Sequence, residues 1–173
     1  MTYNFNEQLA IGNAAESKIA KLLSLVADVK LCNDMDTQRR GIDMMVNNSI
    51  SLEIKWDAAM LRTGNAFLET DSYLGNGKHF KRGWVYTTQA DYVVIMPGNS
   101  GVLKIVKPSE LRRHMDNWLK QFGTRSCRNN DGFKSEGCCV PAYLIPGLTL
   151  TLSATEAQTF LTYIEDNLEQ LDF

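Results

Sequence analysis

A chain of 173 residues with 44% apolar and 22% charged residues has the make-up of an ordinary globular protein and the length of one domain, 1–173, rather than two. Its net charge of −2 argues against wholesale coating of a nucleic acid by positive charge, yet leaves room for a local basic groove. The longest apolar runs, such as Tyr92 to Met96, are strand-sized, so no membrane-crossing segment is expected.

The opening stretch Met1-Thr2-Tyr3-Asn4-Phe5-Asn6 lacks the basic region and apolar core of a secretory signal, and an intracellular, cytoplasmic protein is the expectation. In that setting Cys32, Cys127, Cys138 and Cys139 are expected as free thiols. A zinc site built on Cys127, Cys138 and Cys139 would need a fourth ligand, and vicinal cysteines are poor substitutes for a C-x-x-C pair.

From Phe5 to Asp28 the pattern is helical, with Ile19, Leu22, Leu23 and Val26 recurring at helical spacing. Two short apolar alternations follow, Ile42-Met44-Val46 and Ile50-Leu52-Ile54, around the turn-like Asn47-Asn48-Ser49. Ala66 to Thr70 reads as a third strand, and Asp71 to Gly83 as a polar, glycine-rich loop suited to substrate contact. Within it Lys78, His79, Lys81 and Arg82 form one basic cluster; Arg112, Arg113 and His114 form a second, and either reads equally as solvated surface charge. Tyr92 to Met96 and Val102 to Val106 flank the turn Pro97-Gly98-Asn99-Ser100-Gly101. Pro108-Ser109 opens a helix carrying Leu111, Met115, Trp118 and Leu119 that ends near Gly123.

No structure is assigned to Thr124–Val140, which is polar and irregular. Leu148 to Leu152 reads as a last strand, and Ser153 with Glu156 has capping-box spacing, introducing a C-terminal helix to about Leu168. This order implies an α/β fold, a central mixed β-sheet flanked by helices.

The first hairpin holds the chemistry. If Val46 faces Ile50, then Met44 meets Leu52 and Ile42 meets Ile54, giving one apolar face; on the other, Asp43 lies opposite Glu53, with Lys55 two residues on. Opposed carboxylates with Cβ atoms roughly 5 Å apart repel each other unless a cation lies between them. Mg²⁺, which prefers oxygen ligands and typically takes one or two carboxylates plus water and phosphate oxygens, would resolve the repulsion. Such an ion lowers the pKa of bound water and offsets charge on a phosphate, while Lys55 would orient or help deprotonate that water, or clamp the phosphate. The plainer reading is a cross-strand salt bridge of Lys55 with Asp43 or Glu53. Glu16 lies three residues before Ile19 and seven before Leu23, on the apolar stripe of the first helix, and either reaches the metal region or borders the stripe and meets solvent.

These residues resemble the PD-(D/E)xK nuclease superfamily, in the strings Gly12-x-x-x-Glu16, Gly41-Ile42-Asp43 and Ser51-Leu52-Glu53-Ile54-Lys55. The runs Thr63-Gly64-Asn65-Ala66-Phe67-Leu68-Glu69, Gly83-Trp84 and Thr87-Thr88-Gln89-Ala90-Asp91-Tyr92-Val93-Val94 are similar to small phage and mobile-element nucleases of that superfamily, and the resemblance spans roughly residues 10–96. The family's Pro is absent, with Ile42 before Asp43.

The resemblance implies a restriction-endonuclease-like core. Its metal ligands would be Asp43, Glu53 and the backbone carbonyl of Ile54, with Lys55 as base or phosphate clamp and Glu16 as an auxiliary acid. Glu69 would bind a second metal or remain an edge-strand acid; Gln89 and Thr87 would contact phosphate or cap a short helix. Trp84 reads as packing, with base stacking as the alternative.

The expected activity is a Mg²⁺-dependent deoxyribonuclease, with Mn²⁺ able to substitute, acting on double-stranded DNA with structure-selective or weak sequence preference. Lys78, Lys81, Arg82 and Gln89 would hold the DNA backbone. A homodimer would supply two sites for antiparallel strands. The alternatives are a catalytically inactive DNA-binding or interaction protein with the same fold, and an RNA substrate.

Overall fold

The computed structural model describes residues 5–128 and 133–168. Part of the N-terminal stretch read for a signal, and residues 129–132 of the segment left without structure, lie outside the described residues.

The chain builds an α/β fold with two sheets. Helix α1 (Phe5–Leu23) precedes strand β1 (Val29–Leu31), short helix α2 (Met35–Arg39), and hairpin strands β2 (Met44–Val46) and β3 (Ile50–Asp57). Helix α3 (Ala58–Thr63), strands β4 (Asn65–Tyr73) and β5 (His79–Arg82), and helix α4 (Trp84–Thr87) come next. Then follow β6 (Tyr92–Pro97), β7 (Val102–Val106), α5 (Pro108–Phe122), β8 (Arg125–Arg128), β9 (Lys134–Pro141), β10 (Leu148–Thr151) and α6 (Ala157–Asp166). The six-stranded mixed sheet runs β1-β2-β3-β6-β7-β10, and the four-stranded antiparallel sheet β5-β4-β9-β8. In the larger sheet β3 and β6 are parallel. Among the described residues no helix is long and apolar enough to cross a membrane.

The two faces of the larger sheet bury separate cores. Met44, Val46, Leu52, Ile54 and Val94 pack with Ile19 and Leu23 of α1 and Phe160 and Ile164 of α6. Val93, Ile95 and Val106, one residue out of phase, pack with Leu68 and Val140 of the smaller sheet and with Leu111 and Met115 of α5. Burial on both faces is why β6 reads as a continuous apolar run rather than an alternation.

The hairpin register is the one its apolar pattern selects, Met44 with Leu52 and Val46 with Ile50. Its turn places Asn47 and Asn48 at φ of 50° and 55°, a left-handed conformation that asparagine tolerates better than most residues. Asp91 braces the parallel β3–β6 junction, its Oδ2 accepting from the Ser51 amide at 2.7 Å and hydroxyl at 2.6 Å.

Four sequence expectations are corrected. The ladder stops at Met44 rather than extending to Ile42 and Ile54; Ile42 packs instead with Cys32 and Ala90. Asp71–Gly83 is largely a hairpin, closed by a turn at Leu74–Lys78 in which Gly77 has φ of 82°. Thr124–Val140 contains β8 and β9, whose exposed and half-buried polar residues hide the strand period. Ser153 forms no capping box: residues Ala154–Glu156 make a 3₁₀ turn, and the Ser153 hydroxyl bonds Thr155 Oγ1 at 3.0 Å instead.

Candidate active site

Alternation along β3 sends Leu52 and Ile54 into the core beside α1 and turns Glu53 and Lys55 to the opposite side. There Glu53 is only 4% exposed. Lys55 donates to Glu53 Oε1 at 2.6 Å. The other oxygen, Oε2, is buried with no hydrogen-bond partner among the described residues. An unsatisfied buried carboxylate oxygen carries a large desolvation cost, so its persistence calls for a functional account.

Asp43 reaches the same region by a different route from simple cross-strand opposition. Beyond Met44 its amide donates to the Leu52 carbonyl at 2.9 Å and its Oδ2 accepts the Ile54 amide at 2.6 Å. The side chain thus takes over a place in the ladder and ends it. Gly41 shapes the turn before it, with φ of 67°. A Cβ at Gly41 would lie 3.1 Å from both Glu53 Oε1 and Thr88 Oγ1, so the positive φ favours glycine and any side chain would press on Glu53 and Thr88.

Charge and burial act together on these groups. Burial pushes the Glu53 carboxyl up, with Lys55 and the polar Thr88 side chain opposing it and the charge of Asp43 adding to it. Burial also raises Asp43, opposed by the Ile54 amide and by Lys55. For Lys55, burial disfavours the ammonium, but Glu53, Asp43 and Glu69 outweigh it and hold its pKa above the ordinary lysine value. Lys55 is therefore charged in this arrangement, which favours contact with phosphate over proton abstraction.

Glu16 is half-buried at the border of the α1 stripe rather than within it. Its carboxyl is pushed up to about 7 by burial and by Asp43, with Lys55 pulling the other way. Glu69 sits on the second sheet, where its Oε1 accepts from the Ser72 hydroxyl at 3.1 Å. The register shifts between Glu69 and Asp71, Glu69 lines the same cavity as Lys55, and two glycines let neighbouring segments approach the strand closely: a Cβ on Gly83 or Gly137 would come within 2.3 Å of the Glu69 or Leu68 carbonyl oxygen. Among the described residues, no three His, Cys, Asp or Glu side chains gather closely enough to hold a metal ion. Glu16 and Glu69 thus feel charges of the Asp43–Glu53–Lys55 group without completing such a cluster among the described residues. Cys32, Cys127, Cys138 and Cys139 are all free thiols.

The residues proposed for DNA contact divide. Lys78 and Lys81 are exposed on the β4–β5 hairpin. Arg82 lies 4.1 Å from the Tyr86 ring centroid and 3.9 Å from Asp71. Gln89 accepts from Arg40 Nε at 2.9 Å. The second basic cluster is structural: Arg112 bonds the Val85 and Thr88 carbonyls, Arg113 pairs with Glu110, and His114 stacks on Trp118.

Thr88 is the residue sequence reasoning passed over. Its neighbours Thr87 and Gln89 carried equally polar side chains, but Thr87 bonds back to the Gly83 carbonyl at 3.2 Å. The end of α4 leaves Thr88 directed inward, 3% exposed, toward Gly41 and Glu53.

No family model matches this chain, and no curated protein matches it. Among solved structures the chain is similar to a bacterial homing endonuclease at 12% identity and a TM-score of 0.44, covering 58% of this chain and 68% of that one.

Proposed function

We propose that this protein is a metal-dependent deoxyribonuclease, in which Asp43, Glu53 and the Ile54 carbonyl hold Mg²⁺ and Lys55 binds the scissile phosphate. The observation that carries the reading is the buried Glu53 Oε2 left without a partner beside a second enclosed carboxylate, Asp43. Two carboxylates and a carbonyl suit Mg²⁺, which keeps several positions for water and phosphate. When bound, the ion supplies a water of lowered pKa and neutralises charge developing on the phosphate.

The chain's own groups do the rest. The reaction is hydrolysis: a water oxygen bonds to phosphorus as the bond to one bridging deoxyribose oxygen breaks. The Lys55 ammonium meets a non-bridging phosphate oxygen and offsets its charge. The Ile54 amide fixes Asp43, and Lys55 holds Glu53, so neither acid must reorganise when substrate arrives. Glu16 acts through charge from the inner face of α1. Lys78 and Lys81 contact the DNA backbone at a distance from the chemistry, which positions a duplex without reading its sequence.

Nicking of supercoiled plasmid with Mg²⁺ or Mn²⁺ tests the reading, together with thermal unfolding with and without each metal. The expected results are nicking by the native protein and stabilisation by metal of about 2.7 kcal/mol at a hundredfold excess over Kd, both lost in Glu53→Gln. Nicking that survives Asp43→Asn and Lys55→Met would move the chemistry elsewhere. DNA binding without cleavage under either metal would make this a binding protein.

A further inference from the structure

A cavity of about 450 Å³ opens beside Lys55, between the end of β3 and the smaller sheet, walled by Phe67, Trp84 and Phe133 with Arg128 and Glu69 at its sides. Lys55 Nζ lies 5.6 Å from the centroid of the Trp84 ring. The lysine assigned to the phosphate is thus next to an aromatic face that also borders the cavity. Trp84 packs only partly against the core, and Phe67 is likewise half-buried, so both rings contribute surface to the space.

The lining decides what fits. Aromatic walls attract a planar ring, Arg128 and Lys55 attract an anion, and Glu69 accepts hydrogen bonds from ring amines. A base still stacked and paired in a duplex cannot enter a cavity of this size, whereas one extruded or unpaired base can. The smaller sheet's remaining charge favours a polyanion nearby: β5 and β8 together expose Lys81, Arg82, Arg125 and Arg128.

Resting on the nuclease reading, we infer that this cavity receives an unpaired DNA base stacked on Trp84, placing its flanking phosphate at Lys55. The preferred substrate is then DNA with single-stranded or extrahelical nucleotides rather than continuous duplex.

The test uses oligonucleotides carrying 2-aminopurine, whose fluorescence falls on stacking, either in a single strand, at an extrahelical position, or paired in a duplex. Binding is measured with chelator present, so that cleavage plays no part, and cleavage is measured separately with Mg²⁺. The expected result is quenching with the single-stranded and extrahelical probes, binding at least fivefold tighter than to the paired duplex, and a loss of about fivefold or more in Trp84→Leu. Arg128→Ala, at an exposed position that does not threaten folding, should weaken the same two probes selectively. Equal affinity for all three probes, or no quenching, overturns the inference even if plain duplex is cleaved. Selective quenching without cleavage of any substrate leaves the base cavity standing and removes the nuclease reading.

Discussion

Two strands of this chain place an acid and a lysine two residues apart, Glu53 with Lys55 on β3 and Lys134 with Glu136 on β9. The ion pairs are almost equally short, 2.6 Å and 2.5 Å. Their surroundings differ. The Glu53 side chain is 5% exposed and that of Glu136 24%. Burial drives the Glu53 carboxyl up, whereas the hydrogen bond from Lys134 holds Glu136 below the usual carboxylate range. Glu136 has further donors in Tyr73 and Ser126, while one oxygen of Glu53 has none among the described residues. Spacing alone therefore does not make a site. Enclosure without full satisfaction does, because it stores a cost that binding of a cation can relieve.

Removing charge at each place separates the two ion pairs most directly. Asp43→Asn should lower nuclease activity by more than about a hundredfold, since several kcal/mol of charge stabilisation go with it. Its metal-free thermal stability should not fall, because the amide oxygen still accepts the Ile54 amide and one buried charge is gone. Glu136→Gln should leave activity within about twofold, because that acid is partly exposed and already has its donors. Matched losses at the two positions would show that enclosure is not what separates them.

A smaller effect is expected on stability when the lysines are exchanged for an apolar residue. Lys55→Met should cost about 2 kcal/mol in denaturant unfolding, less than the ~3–5 of a wholly buried pair, because 31% of the Lys55 side chain is exposed. Lys134→Met should cost about 1 kcal/mol or less, because its partner Glu136 is 24% exposed against 5% for Glu53 and can be solvated when the lysine is gone. Equal costs would remove the distinction.

The smallest effect is expected at Glu16. Its carboxyl titrates near 7 in the folded protein against an ordinary 4.5, so the folded state binds the proton more tightly. That contribution to stability is complete below pH 4.5 and is lost as pH rises through about 7. Metal-free native protein should thus lose stability between pH 5 and 8 relative to Glu16→Gln, by less than about 1 kcal/mol given solvent screening of a half-buried group. Parallel stability curves for the two proteins would show that burial and Asp43 do not raise the Glu16 carboxyl.

The apolar alternation was enough to place β2 and β3 in register, because a one-residue slip would send Met44, Val46 and Leu52 to the wrong face. It also carried Asp43, Glu53 and Lys55 to one side, and capping chemistry placed α5 between Pro108 and Gly123. The strands β5 and β8 were illegible because they lie exposed, and a strand with no buried face leaves no period in its sequence.

What tertiary structure alone decided is the environment of those side chains. Gly41 and Thr88, from connections far apart in the chain, meet beside Glu53, and the second sheet brings Phe67 and Glu69 to the cavity beside Trp84. Residue types and local spacing specify which face a side chain takes, but desolvation depends on what segments distant in the chain bring to that face. Lys134-x-Glu136, with the same spacing and a wetter setting, shows the difference.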